Sequence, residues 1–204
     1  MQKSPDHLRL AGRDEATQCA ALEAIIRESG LLMSALERLR SLALPDGWIV
    51  AGAIYDTVWN ALTGRDPLHG INDVDIFYFD DADLSWEAED RVIRQGEPVF
   101  ADLPVRAEIR NQARVHLWFE DHYGQARVPL SSCRESIEQF ASKTHSVGAR
   151  LKDDDTIEIF APYGLDTIFS FRLVPNRVLD NRLNYAKKSE RHRQTWPELQ
   201  VEDW

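Results

Sequence analysis

The sequence lacks the features that mark membrane-spanning and secreted proteins. No apolar run approaches the roughly 20 residues that a membrane helix requires, and residues 1–6 contain no hydrophobic segment of a signal peptide. Only two cysteines occur, Cys19 and Cys133, and their wide separation predicts neither a disulfide framework nor a metal site. These absences predict a cytoplasmic protein without a membrane partner.

Positive charge is also scarce. The 204 residues carry 24 Lys and Arg against 34 Asp and Glu, and the net charge of −10 argues against general binding of long nucleic acid. Cations are nevertheless concentrated between Arg172 and Arg193, where the acids are only Asp180 and Glu190. Such a patch suits a small polyanion such as a nucleoside triphosphate, although a solvated helix end has the same composition.

The order of elements indicates the fold class. No repeat or low-complexity segment divides the chain, so a single domain over 1–204 is predicted. Leucines at helical spacing predict an N-terminal helical segment over 14–44, broken near Gly30. A sheet core carrying the site is expected over 48–175, followed by a basic C-terminal segment over 176–204. Helices followed by mixed strands and helices predict an α+β fold, with one mixed β-sheet flanked by helices.

Local patterns assign further elements within this core. Two hairpins are expected, one around Asn111 and one across the acidic turn at 153–155. The predicted strands cover 48–54, 72–79, 104–110, 114–120, 146–151 and 156–160. The predicted helices cover 55–62, 85–95, 132–140 and 177–188.

The most informative segment is the strand at 72–79, which begins with two carboxylates. Alternate side chains of a strand share a face, so Asp73 and Asp75 project together while Val74 and Ile76 point the other way. Two adjacent anions raise each other's pKa unless a cation lies between them. The pair is therefore a suitable seat for Mg²⁺ or Mn²⁺, which prefer oxygen ligands. Acidic pairs at strand ends also commonly face water.

Two further residues suggest the remainder of a site. Gly52 lies between a hydrophobic strand and a helix, where a phosphate can approach free backbone N–H groups; tight packing is the alternative explanation. Glu108 alternates with apolar residues and faces away from the core, with Arg106 and Arg110 nearby to meet phosphate. A solvated strand face explains the same alternation. Together with the aspartate pair, these parts match two-metal phosphoryl chemistry.

The chain resembles the nucleotidyltransferase superfamily that includes DNA polymerase β, in which a Gly-Gly or Gly-Ser strand end precedes an Asp-x-Asp strand and a third acid. It is more closely similar to a bacterial nucleotidyltransferase-like family, over roughly residues 20–200. The matching stretches are Ala-Gly-Ala-Ile at 51–54, Thr-Val-Trp at 57–59, Asp-Val-Asp-Ile at 73–76, Tyr-Phe-Asp at 78–80, Asn-Gln-Ala-Arg-Val-His-Leu-Trp at 111–118, Ala-Pro-Tyr-Gly-Leu-Asp at 161–166 and Trp-Pro-Glu-Leu at 196–199.

The resemblance implies a polymerase β-type fold and a role for each site residue. It implies that Asp73 and Asp75 bind the catalytic Mg²⁺ or Mn²⁺ and that Glu108 completes the triad. It also implies that Gly52 and Ala53 border the triphosphate. Two departures from the superfamily pattern are Ala53, which has no hydroxyl for phosphate, and a longer link over 61–72.

The predicted function is transfer of a nucleoside monophosphate from a nucleoside triphosphate to an unknown acceptor, with release of pyrophosphate. Arg110, Arg114 and a C-terminal cation are candidates for stabilising the triphosphate charge. The acidic net charge favours a small molecule or a protein over long nucleic acid as acceptor. A catalytically silent nucleotide- or partner-binding module of the same fold is the main alternative. A metal-dependent phosphohydrolase is a further one.

Overall fold

The computed structural model of the protein describes residues 6–124 and 126–204. The α-helices in this part of the chain are α1 (Glu15–Glu28), α2 (Gly30–Leu42), α3 (Gly52–Thr63), α4 (Trp86–Phe100), α5 (Val115–Tyr123), α6 (Cys133–Glu138), α7 (Asp166–Phe169) and α8 (Arg182–Thr195). The strands are β1 (Trp48–Val50), β2 (Asp73–Tyr78), β3 (Arg106–Asn111), β4 (Gly148–Leu151), β5 (Ile157–Phe160), β6 (Arg172–Leu173) and β7 (Gln200–Val201). None of the helices described has the length and apolar character that crossing a membrane requires.

Five strands form one mixed sheet in the order β3-β2-β1-β4-β5. Strands β2 and β3 run parallel and are joined through α4, whereas the other neighbours are antiparallel. Strands β6 and β7 form a separate parallel pair. Helices α2, α3 and α4 pack against the large sheet. The predicted α+β fold with a mixed, helix-flanked sheet is confirmed, and the predicted single domain over 1–204 stays a prediction.

Helix caps and buried leucines explain the N-terminal helical segment. The Asp14 side chain accepts a hydrogen bond from the Thr17 N–H at the start of α1, and the Ser29 side chain accepts one from Leu32 at the start of α2. The break between the helices therefore falls at Ser29, beside the predicted Gly30. Helix α2 buries one face, which consists of Leu31, Leu32, Ala35, Leu36 and Leu39.

Buried tryptophans connect the C-terminal segment to the centre of the molecule. Trp196, directly after α8, is 1% exposed, and its indole N–H donates to Asn60 Oδ1 of α3 at 3.0 Å. Gly70, in the loop before β2, has φ of +73°, and a Cβ there would lie 2.5 Å from the Trp196 ring. Glycine is therefore required at position 70, and the end of α8 is fixed against the loop that leads to β2.

Two sequence predictions of strands are wrong. The strand predicted over 48–54 ends at Val50, because Ala51 adopts a positive φ of 53° that turns the chain into α3. The segment 114–120 is not the second strand of a hairpin but the start of α5. Its buried residues Val115 and Phe119 are four positions apart, as one face of a helix requires.

The boundaries of other elements differ less from the predicted ones. Helix α4 extends beyond the predicted 85–95 to Phe100, and α8 begins at Arg182 rather than 177 and continues to Thr195. The hairpin predicted from 146–151 and 156–160 is confirmed by the antiparallel pairing of β4 with β5. At the start of α6 the Ser132 side chain accepts from the Glu135 N–H, and the Glu135 carboxylate accepts from the Ser131 N–H at 2.8 Å.

Candidate active site

Asp73 and Asp75 project from one face of β2, as the alternation predicts. Both are partly exposed, whereas Val74 and Ile76 between and beyond them are fully buried. The buried side chains hold the strand against the core, so the two carboxylates are presented on the opposite face of the sheet. Strand β2 thereby fixes the spacing of the pair without help from a loop.

Glu108 lies beside this pair. In the parallel register of β2 and β3, Asp75 is the partner of Glu108, so the two side chains share a face. Glu108 also forms ion pairs within its own strand, with Arg106 Nη1 at 3.2 Å and Arg110 Nη2 at 3.6 Å. The third predicted carboxylate is therefore next to the others, and two guanidinium groups already neutralise part of its charge.

The surroundings of Asp75 disfavour its negative charge. Burial, followed by the charges of Asp73 and Glu108, raises the pKa of Asp75 to about 6, although Lys188 and Arg110 oppose this shift. An opposite charge placed between the carboxylates would favour the ionised form. A bound cation would therefore stabilise the ionised pair, because Lys188 and Arg110 offset its negative charge only in part.

These carboxylates fit a divalent ion of the kind that shares its ligands with a substrate. Among residues 6–124 and 126–204, no three His, Cys, Asp or Glu side chains converge to hold a metal ion by themselves. Mg²⁺, however, commonly takes one or two carboxylates and completes its shell with water and substrate phosphates. Asp73 and Asp75 satisfy that requirement, and Glu108 can join them only if it releases its arginine partners.

The turn between β1 and α3 leaves backbone donors available. Ala51 has φ 53° and ψ −116° and accepts from the N–H groups of Ile54 and Tyr55. The N–H groups of Gly52 and Ala53 donate to nothing in the described parts of the chain. A Cβ at Gly52 would meet its nearest neighbour at 3.8 Å, so packing does not demand glycine there. A helix N-terminus with free N–H groups is suited to bind phosphate.

Helix α8 brings two cations to this part of the molecule. Lys188 and Arg191 lie one helical turn apart and are exposed, and neither forms an ion pair with a residue of the described ranges. Lys188 lines the same cleft as Asp75, and its charge opposes the rise in the pKa of Asp75. Arg191 opposes the rise in the pKa of the buried Asp56. The sequence indicated only a basic C-terminal segment; which of its cations meet the site depends on how α8 packs.

Arg114 does not line the cleft beside the carboxylates. Its guanidinium forms an ion pair with Glu89, and its Nε donates to the Leu84 carbonyl oxygen at 3.0 Å. Glu89 also accepts from the Asn111 N–H at 2.8 Å. Arg114 therefore connects α4 to the end of β3, whereas Arg110 remains at the cleft with its side chain 45% exposed.

The cleft itself extends from the carboxylates toward helices α5, α6 and α8, with a volume of ≈ 370 Å³. This size is within the range of small-molecule sites. The sheet contributes acids and Arg110, α8 contributes Lys188, and the helical wall contributes aromatic and amide side chains. The cleft is lined by Phe77 of β2 and, on the helical side, by Gln112, Trp118, Ser136, Gln139 and Phe140.

A buried polar group lies behind the turn at Gly52. Asp56 of α3 is 4% exposed, its Oδ1 lies 3.9 Å from His192 Nε2, and that oxygen accepts no hydrogen bond from the described residues. Burial raises the pKa of Asp56 well above its usual range, although Arg191 opposes the shift. Burial also lowers the pKa of His192 to about 3. Burial thus disfavours the charged form of both side chains, a feature that no motif in the sequence signals.

Comparison with known proteins gives two matches. A family model described as nucleotidyltransferase matches residues 37–201. Among solved structures, the chain is similar to an NMR structure described as a CCA-adding enzyme head domain, with a TM-score of 0.73 and 23% identity. That match covers 91% of this chain and 96% of the other, and at this identity it shows the fold alone. No curated protein matches the chain.

Proposed function

The chain belongs to a nucleotidyltransferase family and has the polymerase β-type fold, and from this we propose that it transfers a nucleoside monophosphate from a nucleoside triphosphate to an acceptor. The observation that carries the proposal is the meeting of the Asp73 and Asp75 pair with Lys188 of α8, which lines the same cleft as Asp75. Acids that can bind a metal and cations that can bind phosphate are the two charge requirements of such a site.

The proposed roles follow from the geometry. Asp73 and Asp75 would hold Mg²⁺ or Mn²⁺, which when bound supplies Lewis-acid polarisation of the phosphate. The N–H groups of Gly52 and Ala53 would donate to phosphate oxygens at the start of α3. Lys188, Arg191 and Arg110 would offset the charge of the triphosphate and of the leaving pyrophosphate. These positive groups lie around Asp73 and Asp75 but leave their carboxylates available for a metal ion. The site can therefore accept a highly charged substrate.

The transfer step requires one proton acceptor. The acceptor oxygen forms a bond to the α-phosphorus, the bond from that phosphorus to the bridging oxygen breaks, and pyrophosphate leaves. We assign the proton of the acceptor hydroxyl to Glu108, because it is the carboxylate beside Asp75 that would be needed least for the metal. The net charge of −10 favours a small molecule or a protein as acceptor over long nucleic acid.

Calorimetric titration with the four ribonucleoside triphosphates in Mg²⁺ tests the proposal. We expect binding by the wild type and its loss in the Asp73→Asn/Asp75→Asn variant. The Asp81→Asn/Asp153→Asn variant is a matched control, since it removes two exposed acids elsewhere. Failure of the folded wild-type protein to bind any of the four nucleotides would refute the proposal.

One observation favours a catalytically silent binding module as second candidate. Glu108 is engaged by Arg106 and Arg110, and the described residues contain no complete three-ligand group. A silent module would bind nucleotide through the same residues but release no pyrophosphate in any acceptor mixture. A coupled pyrophosphate assay on the protein that binds nucleotide therefore separates the two candidates.

A further inference from the structure

The helical wall of the cleft carries two side-chain amides whose orientation is fixed by their neighbours. Gln139, at the end of α6, accepts two hydrogen bonds at Oε1, from Arg127 Nε at 3.2 Å and Nη2 at 2.9 Å. A guanidinium has donors only, so the Gln139 amide cannot be reversed without placing donor against donor. Its Nε2 donates to no residue in the part of the chain that the structure describes, and Gln139 is partly exposed to the cleft.

Arg127 is itself held in place. Its guanidinium carbon lies 4.8 Å from the centroid of the Phe119 ring, and Phe119 is 6% exposed in a small apolar cluster with Val115 and Leu130. A guanidinium stacked on an aromatic face loses rotational freedom. Gln139 is therefore oriented by a residue that is anchored to α5, and its amide nitrogen is a fixed donor in the cleft.

Gln112 is a second side-chain amide whose orientation is fixed by hydrogen bonds, and it lies deeper in the same wall. It is 3% exposed, its Oε1 accepts from Ser136 Oγ at 2.7 Å, and its Nε2 donates to the Arg110 carbonyl oxygen at 3.3 Å. Reversal would place the amide oxygen against the Arg110 carbonyl, so this orientation is fixed as well. In both amides the carbonyl group is satisfied within the protein, and the hydrogen-bonding capacity that remains is that of a donor.

Aromatic side chains beside these amides provide a surface for a planar ring. Phe77 and Phe140 meet edge to face with ring centroids 5.8 Å apart, and Trp118 lines the same cleft. Aromatic rings of this kind stack on nucleobases with little preference for the base. Because Asp75 and Lys188 line this cleft too, a base on the aromatic surface and a phosphate group at the acids can belong to one molecule.

We propose that this wall selects nucleoside triphosphates whose base carries a carbonyl oxygen at C4 of a pyrimidine or C6 of a purine, namely uracil and guanine, with Gln139 Nε2 as the specificity-determining donor. Adenine and cytosine present an amino group there, which would leave two donors face to face and unpaired. Asn181 and Asn184 also line the cleft, but no residue that the structure describes fixes their amides, so they can turn to suit either kind of base. This inference rests on the proposed function.

Calorimetry with UTP, GTP, ATP and CTP in Mg²⁺ tests the selection. We expect the wild type to bind UTP and GTP about tenfold more tightly than ATP and CTP. Gln139→Glu keeps an acceptor for Arg127 and replaces the donor with a second acceptor, so the preference should disappear or invert. Gln139→Met removes the amide altogether and should bring the four affinities within about twofold of one another. Glu138→Gln, on the adjacent exposed residue, is the matched control and should keep the wild-type preference.

The outcomes separate this inference from the proposed function. Equal binding of the four nucleotides by the wild type, or a preference for ATP, overturns the selection while nucleotide binding stands. A preference for UTP and GTP that survives in both Gln139→Glu and Gln139→Met also overturns the role of Gln139. Absence of binding to any nucleotide overturns both proposals.

Discussion

Asp75 illustrates at the scale of a residue how a binding site opposes stability. Its pKa is about 6 in the folded protein against 3.8 ordinarily, so above pH 6 the folded state carries the full penalty of the charge. Below pH 3.8 both states are protonated and the penalty vanishes. A shift of about 2 units corresponds to about 3 kcal/mol. The metal-free protein therefore loses this stability as the pH rises from about 4 to 6.

The Asp75→Asn variant should reveal this penalty. Without divalent ions, we expect it to be more stable than the wild type by about 2–3 kcal/mol at neutral pH and nearly equal to it below about pH 4. Urea unfolding of both proteins at the two pH values gives the difference. An equal difference in the free energy of unfolding at the two pH values would show that the ionised carboxylate is not the source of the difference.

Ala51 stores backbone strain next to the free N–H groups of α3. A non-glycine residue at φ 53° and ψ −116° is disfavoured by about 1–3 kcal/mol. We expect Ala51→Gly to stabilise the protein by about 1 kcal/mol, because relief of strain exceeds the added entropy of the unfolded chain. Chemical denaturation measures this change. Ala53→Gly, two positions on within the helix, should instead destabilise the protein.

At the scale of elements, the orientation of α8 determines whether its cation Lys188 reaches the site. Replacing Lys188 with Met should weaken Mg²⁺–nucleotide binding by about 1.5–3 kcal/mol, about ten- to a hundredfold, because a charged partner of the phosphates is lost. Lys187→Met removes the adjacent cation, which does not line the cleft, and should leave the affinity nearly unchanged. Calorimetry compares the two variants, and equal losses would mean that only the overall charge of the helix matters.

The elements that the sequence predicts well are those with a long, regular pattern. The first four residues of β2 (Asp73–Ile76) alternate polar and apolar side chains, a pattern that indicates a strand. In contrast, the segment 114–120 is short and rich in aromatic residues, and its apolar positions fit both a strand and a helix until Val115 and Phe119 are known to be buried together. The end of β1 was unpredictable because Ala51 adopts a conformation that alanine usually avoids.

In the site, too, a feature could be predicted from the sequence where it depends on neighbouring residues, and could not where it depends on contacts between distant segments. Asp73 and Asp75 could be assigned to one face from alternation alone, since that relation is local. The approach of Lys188 to Asp75 depends on contacts between segments more than 100 positions apart, and no periodicity records such contacts. The displacement of Arg114 into an ion pair with Glu89 is likewise a tertiary effect.

At the scale of the whole molecule, the docking of Trp196 on Gly70 determines where α8 lies relative to β2. Gly70→Ala would place a methyl group 2.5 Å from the indole at a positive φ. We expect it to destabilise the protein by about 1–3 kcal/mol more than the φ penalty alone, and to weaken nucleotide binding because α8 is displaced.

Gly64→Ala is the control for this prediction. Gly64 also has a positive φ, of +67°, but a Cβ there would meet no atom of the described residues within 4 Å. Its substitution therefore reports the backbone penalty of about 1–2 kcal/mol without a clash. Equal unfolding free energies for the two variants, together with unchanged nucleotide affinity, would contradict the role of the Gly70 contact.

The dependence of the site on α8 also bears on the order in which it becomes competent during synthesis. The acids of β2 emerge from the ribosome more than 100 residues before Lys188 and Arg191. Until α8 has emerged and docked through Trp196, the nascent chain has two repelling carboxylates without the charge of Lys188, and Arg110 alone opposes the resulting shift at Asp75. We expect a stalled chain that ends before α8 to ignore nucleoside triphosphates, so that capture of substrate marks completion of the fold.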